Sequence, residues 1–174
     1  MGTEHNYEQM MRSLELRAEV RAARPEDMPR LLELIQRTNQ FNTTTRRRSA
    51  AEVNALLASD SHEIFVASLG DRFGDLGVVA VIIAAHQPDD EVEIDSFIMS
   101  CRAMGFGLEQ LALAEVTRRL DAPRYTARFI PTDRNGPAAS LYPSNGFVEA
   151  EPGLWALERC DRPKRPVWFR DSAG

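Results

Sequence analysis

Between residues 91 and 120 the chain passes from an alternating apolar run, EVEIDSFIM, through CRAMGFG into LEQLALAEVTRRL. The first run reads as a strand and the last as a helix, so a strand must hand over to a helix through a short turn that spends two glycines, Gly105 and Gly107. At a helix start several backbone N–H groups lack partners, and the aligned peptide dipoles leave roughly half a positive charge there. Glycines let a ligand approach those groups closely, and Arg102 adds charge on the same side. The stretch therefore reads as a tight turn alone or as a cradle for a phosphate. Neither G-x-G-x-x-G nor G-x-x-x-x-G-K occurs, which removes the dinucleotide fingerprint and the P-loop.

The rest of the chain supplies a frame for that turn. A length of 174 residues suits one domain. Residues 16–23 alternate like a strand. Pro25, Glu26 and Asp27 suit a first helical turn, and Met28, Leu31, Leu32 and Ile35 repeat at helical spacing to about Arg37. TNQFNTTTRRR reads as a loop or a broken helix. Ser49 and Glu52 form a capping box for a helix that runs to about Ser59. Strands are expected over 63–69 and 76–86 around the turn GDRFGD, over 91–99, and over 125–130; a short helix is expected from about Gly136, then two brief strands near FVEAE and LWALE. The order β-α-α-β-β-β-α-β-α-β-β predicts an α/β (α+β) domain, a mixed sheet with helices on both faces. Residues 1–16 read as a linker or short helix, 17–158 as the domain, and 159–174 as a mobile basic tail that Trp168 and Phe169 could pin.

Composition narrows the function classes. The net charge of −5 gives no global support to nucleic-acid binding. No apolar run approaches a membrane span, and the first residues lack the apolar core of a signal peptide. Two cysteines make neither a disulfide framework nor a zinc site, so no metal is expected and the chain reads as cytoplasmic. Two basic clusters, Arg46–Arg48 and the tail, read as solvated surface or as docking points for an anionic ligand or acidic partner.

Downstream, TDRNGPAASLYPSNGF places Asn135, Ala138, Tyr142 and Gly146-Phe147 after the next strand. Arg102-x-x-Gly105-x-Gly107 resembles the R/Q-x-x-G-x-G/A signature of the GCN5-related N-acetyltransferase (GNAT) superfamily, and Asn135-x-x-Ala138-x-x-Leu141-Tyr142 resembles that superfamily's second acyl-CoA segment. The resemblance covers about residues 17–158 and implies a mostly antiparallel sheet splayed at the fourth strand. It implies that main-chain N–H groups of Arg102, Ala103, Met104, Gly105, Phe106 and Gly107 hold the pyrophosphate of acetyl-CoA or another acyl-CoA. Phe97, Ile98 and Met99 would offer their backbone to the pantetheine arm, Asn135 and Ala138 would lie on its other side, and Tyr142 would give a proton to the departing thiolate.

A transfer to an amine also needs a base. Glu91, Glu93 and Asp95 share one face of their strand, which suggests a wet cleft and makes Asp95 and Glu93 the candidates, with Glu91 read as a solvated hairpin end. His86 could serve instead, and Cys101 ahead of the positive turn invites a nucleophilic role without a nearby His partner.

A narrower likeness joins TNQFNTTTRRRSAAEV, DRFGD and SFIMSCRAMGFG. These segments resemble the C-terminal GNAT-like region of the FkbH-like proteins, in which a haloacid-dehalogenase-type domain loads a glyceryl unit onto an acyl carrier protein for polyketide synthesis. The dehalogenase-type domain has no counterpart in this sequence. That likeness implies a carrier-bound phosphopantetheine as an alternative donor, with an acyl carrier protein and a dehalogenase-type loading protein as partners. Thr38, Asn39, Gln40, Phe41 and Asn42 would face a small-molecule or carrier-bound acceptor, or would form a turn bonding its own backbone. Acyl transfer is the leading expectation, beside a non-catalytic docking domain and a thioester decarboxylase or hydrolase on the same scaffold.

Overall fold

The computed structural model describes residues 2–171; Met1 and the end of the basic tail, 172–174, lie outside the described residues. Helix α1 (Gly2–Ser13) leads into β1 (Arg17–Ala22), α2 (Met28–Arg37) and α3 (Ala50–Ala58). The hairpin of β2 (His62–Asp71) and β3 (Gly74–His86) follows, then β4 (Val92–Met99), α4 (Leu108–Leu120), β5 (Arg124–Arg128), β6 (Val148–Glu151) and β7 (Leu154–Glu158). The strands form one sheet in the order β1-β2-β3-β4-β5-β7-β6, antiparallel except where β4 meets β5.

Each face of the sheet buries its own core because the central strands are apolar on both sides. On β2, Ile64 and Val66 join Leu31, Leu34 and Ile35 of α2 and Val53 of α3 in one cluster. Phe65, Ala67 and Leu69 point the other way and meet Leu108, Leu111 and Val116 of α4 in a second, larger one. Ser49 caps α3 as the sequence signals: its hydroxyl accepts from the Glu52 N–H at 3.2 Å and the Glu52 carboxylate returns to the Ser49 N–H.

Three segments differ from the sequence expectation. The stretch from Gly136 is not one helix but two 3₁₀ turns, Gly136–Ala138 and Pro143–Asn145, because Pro143 has no N–H to give and its ring blocks continuation from the preceding turn. The β2–β3 strands run into GDRFGD and leave a two-residue tip, with the Asp71 carboxylate accepting from the N–H groups of Phe73 and Gly74. The described part of the tail takes the pinned form and not the mobile one: Phe169 is buried in the larger core, which also holds Met11 of α1, and Arg170 reaches Glu15 at 2.7 Å.

Candidate active site

A bulge in β4 shapes the site. The β3 register slips between Ile83 and Ala84, so Asp95 has no partner across the ladder. One extra residue re-aims the strand: Val92 and Ile94 before it and Phe97 and Met99 after it enter the same core cluster, whereas Ile98 turns to the other. The strict alternation expected over 91–99 therefore fails at Asp95. On its other edge β4 pairs with β5 only from Val92 to Ile94. Past that point the strands part, and main-chain groups of Phe97 and Met99 face the opening.

The chain itself fills that opening. Residues 41–44, from the loop between α2 and α3, run antiparallel to β4 with Asn42 opposite Ile98. The Thr43 N–H donates to the Phe97 carbonyl at 3.1 Å, the Met99 N–H donates to the Phe41 carbonyl at 2.9 Å, and the Phe97 N–H donates to the Thr43 hydroxyl at 3.0 Å. On the far side the Ile130 N–H donates to the Thr43 carbonyl at 2.8 Å, and the Asn135 amide donates to the Asn42 carbonyl at 3.0 Å. Asn42 and Thr43 are both 0% exposed. The groups of Phe97 and Met99 expected to meet a pantetheine arm are thus already paired, and Asn135 holds the segment that pairs them. Asn42 also bonds its own turn, accepting from the N–H groups of Thr44 and Thr45.

The carboxylate row is not a wet cleft. Asp95 is buried at 7% exposure, with Arg48 at 2.6 Å and Arg46 at 3.1 Å, while Glu93 pairs with Arg128 at 2.8 Å. Arg47 donates to the Ile35 and Thr38 carbonyls at the end of α2, so all three arginines of the 46–48 cluster serve the fold. Ser96 bonds the Thr44 hydroxyl at 2.9 Å. His86 bonds Glu63 at the exposed hairpin end, and Cys101 is exposed with a free thiol.

Tyr142 opens the second 3₁₀ turn, is 1% exposed, and packs its ring on Phe147. Its hydroxyl meets no partner of hydrogen-bond geometry among the described residues, the Thr43 side chain being close enough only to temper its pKa. Burial drives its pKa well above that of a free phenol; the nearby charges of Asp95 and Glu93 add to the rise and the Thr43 side chain opposes it. Thr43, Asp95 and Glu93 therefore lie near the Tyr142 hydroxyl, and the phenol keeps its proton.

At the other end is the glycine turn. Cys101–Ala103 make one 3₁₀ turn, with Ser100 accepting from the Arg102 N–H, and Met104 leads into Gly105 at φ 91° and Gly107 at φ 81°. A Cβ on Gly105 would meet only open space, so backbone conformation alone demands glycine there, whereas one on Gly107 would lie 2.7 Å from the Trp168 ring. The carbonyls of the turn are tied from behind: Tyr7 donates to Gly105 and Trp168 to Phe106, each at 2.8 Å. The Ala103 and Met104 N–H groups expected to meet a phosphate are spent inside the 3₁₀ turn, on the Ser100 and Cys101 carbonyls at 3.0 and 3.2 Å, which leaves Gly105, Phe106 and Gly107 as the candidate N–H donors ahead of α4.

Acyl-CoA fits the donors of this site but not its space. The cavity between the glycine turn, the strap of residues 41–44 and the second motif holds about 180 Å³ and is lined by Phe41, Met99, Gly105, Glu109, Leu141 and Asn145. Ligand pockets for molecules of drug size hold roughly 300–1,000 Å³. Glu109 adds a second obstacle: one of its carboxylate oxygens is buried in the first turn of α4 without a partner among the described residues, and burial raises its pKa. The sequence reading missed Glu109, Thr43 and Thr45, and took Arg48 for solvated surface or an external docking point where it pairs with Asp95. The first was hidden as an ordinary acidic residue of a helix start, and the others sit in a polar loop whose partner strand lies 54 residues away.

Thr38, Asn39 and Gln40 line a separate cavity of about 350 Å³ with Arg30, Arg37 and Ser100. Among the described residues no cluster of three or more metal-type ligands occurs, and no helix is long and apolar enough to cross a membrane.

No protein-family model matches the sequence, and no curated protein matches it. Solved structures do match in fold. An acetyltransferase from Thermus thermophilus superposes with a TM-score of 0.64 at 16% identity, over 83% of this chain and 99% of that one. The spermidine N-acetyltransferase from Vibrio cholerae, in complex with CoA and spermine, gives 0.61 at 14% identity over 83% and 97%. The ribosomal-protein-S18-alanine N-acetyltransferase from Escherichia coli gives 0.60 at 18% identity over 81% and 93%. The mixed, mostly antiparallel seven-stranded sheet that opens between β4 and β5 is the GNAT fold.

Proposed function

We propose that this domain transfers an acyl group from acyl-CoA to the nucleophile of a small acceptor by direct attack, with Tyr142 as proton donor. The observation that carries the reading is the parting of β4 from β5 immediately ahead of a two-glycine turn at a helix start, with the unpartnered Tyr142 hydroxyl at the same opening. The thioester supplies an activated acyl group. Tyr142 holds a proton where a departing sulfur would need one, and Glu93 and Asp95 are the nearby carboxylates, both held by arginines. Thr38, Asn39 and Gln40 offer amide and hydroxyl groups to the acceptor from the 350 Å³ cavity beside the strap. The fold shared with a structure holding CoA and spermine supports the donor class.

A second reading drops the transfer. In it the domain docks an acyl carrier protein for a dehalogenase-type loading partner in polyketide-type synthesis, and the filled opening favours it in so far as docking needs no arm in the groove. Calorimetric titration of the whole chain with acetyl-CoA tests the first reading, repeated with Gly105→Glu. Open space around Gly105 receives the side chain, Gly105→Ala serves as the control for the strain that φ 91° puts on any side chain, and the carboxylate adds repulsion toward a phosphate. Binding that the variant abolishes supports acyl-CoA recognition at the turn; binding untouched by the variant refutes it.

A further inference from the structure

Residues 41–44 engage the free edge of β4 as an extended ligand would. They use the Phe97 carbonyl and the N–H groups of both Phe97 and Met99, which are the donors and acceptor left by the bulge and the loss of β5 pairing. They also tie across to Ile130 and Asn135, so the opening is bridged from both walls. Anchors flank the strap. Arg47 is fixed to the end of α2, and Arg46 and Arg48 are fixed to Asp95.

The segment is held against local strain. Thr45 has φ 56°, in the left-handed region that a β-branched residue rarely adopts, and its hydroxyl is buried without a partner. Both features sit between the strap and the fixed Arg46, where a hinge would lie. A strained residue persists only where its surroundings over-determine it, and here the surroundings are the strap's own hydrogen bonds.

We propose that the 41–44 segment is an intramolecular occupant of the thioester-arm site, which closes the resting domain and swings out about Thr45 before an acyl thioester can seat. The proposal rests on the acyl-CoA reading above and adds a closed state to it. The apparent affinity for coenzyme then equals the intrinsic affinity scaled by the fraction of open molecules.

Two substitutions should move that fraction in opposite directions. Thr43→Val keeps the side-chain shape but leaves the Phe97 N–H unpaired only while the strap is seated. Thr45→Gly removes the left-handed strain and keeps the strap down. Titrated with acetyl-CoA, Thr43→Val should bind about fivefold more tightly than the unaltered chain. Thr45→Gly should bind about fivefold more weakly. Should Thr43→Val fail to fold, the weaker binding of Thr45→Gly carries the test alone. Equal affinities in all folded variants would overturn the strap while leaving the acyl-CoA reading in place. Absence of binding in every one would overturn both.

Discussion

Tyr142 and Glu109 each bury an oxygen that meets no partner among the described residues, and each costs stability. For Tyr142→Phe the loss of an unpaired hydroxyl should leave folding stability unchanged or raise it by up to about 1 kcal/mol. Acyl transfer, followed as thiol release, should fall by roughly 10²–10³. A variant that loses stability and keeps its turnover would remove Tyr142 from the chemistry. Glu109 makes a pH-dependent prediction. Its carboxyl is raised from 4.5 by burial, so the folded state holds the proton more tightly than the unfolded state. Its destabilising effect is absent below 4.5 and grows as pH rises through the higher folded value. Glu109→Gln should therefore be the more stable protein at pH 7, with the gap closing in acid. Urea unfolding at both pH values reads this, and a gap independent of pH would contradict it.

At the scale of elements, the helices and strands follow from local pattern, while the state of the site follows from pairings between distant segments. The Ser49–Glu52 box, the apolar spacing of α2 and the glycines before α4 are all written locally, and the structure shows each where the sequence places it. The bulge at Asp95 carries no local mark, because an alternating run looks the same with or without one extra residue. TNQFNTTTRRR reads as a loop for a sound reason, being polar throughout, and its strand-like pairing exists only because β4 has a vacant edge. Pro143 could have warned that the segment around Tyr142 would not make one helix. An ion pair sets the start of α2: Asp27 meets Arg21 of β1 in two bonds of 2.7 and 2.8 Å. This pairing, led by the hydrogen bond from Arg21, lowers the Asp27 pKa from 3.8 to about 2. The contribution is present above 3.8 and lost as pH falls toward about 2. Asp27→Asn should cost on the order of 1 kcal/mol at neutral pH. Little difference should remain at pH 2, as thermal unfolding at the two pH values would show.

Across the whole molecule, both ends of the described chain converge behind the glycine turn. Tyr7 of α1 stacks edge-on against Trp168 of the tail with ring centroids 5.4 Å apart, and each ring also donates to a carbonyl of the turn. Local pattern offers a short helix or linker ahead of residue 17 and a tail that Trp168 and Phe169 could pin, but nothing local announces that the two share a surface. Trp168→Ala should cost about 2 kcal/mol, through lost packing and an uncapped Phe106 carbonyl. The amides of Gly105 and Gly107 should then exchange faster, whereas unchanged exchange would mean that the turn holds its shape without this clamp. The turn follows the end of β4 that residues 41–44 pair with, so the clamp and the strap sit at the same end of one strand. The most direct measurement of the account is amide hydrogen exchange with and without saturating acetyl-CoA, followed at Thr43, Phe97, Met99 and Ile130. If the arm replaces the strap, Thr43 and Ile130 lose protection while Phe97 and Met99 keep theirs. Protection unchanged at all four with coenzyme bound would show that the strap stays seated, and would contradict the account.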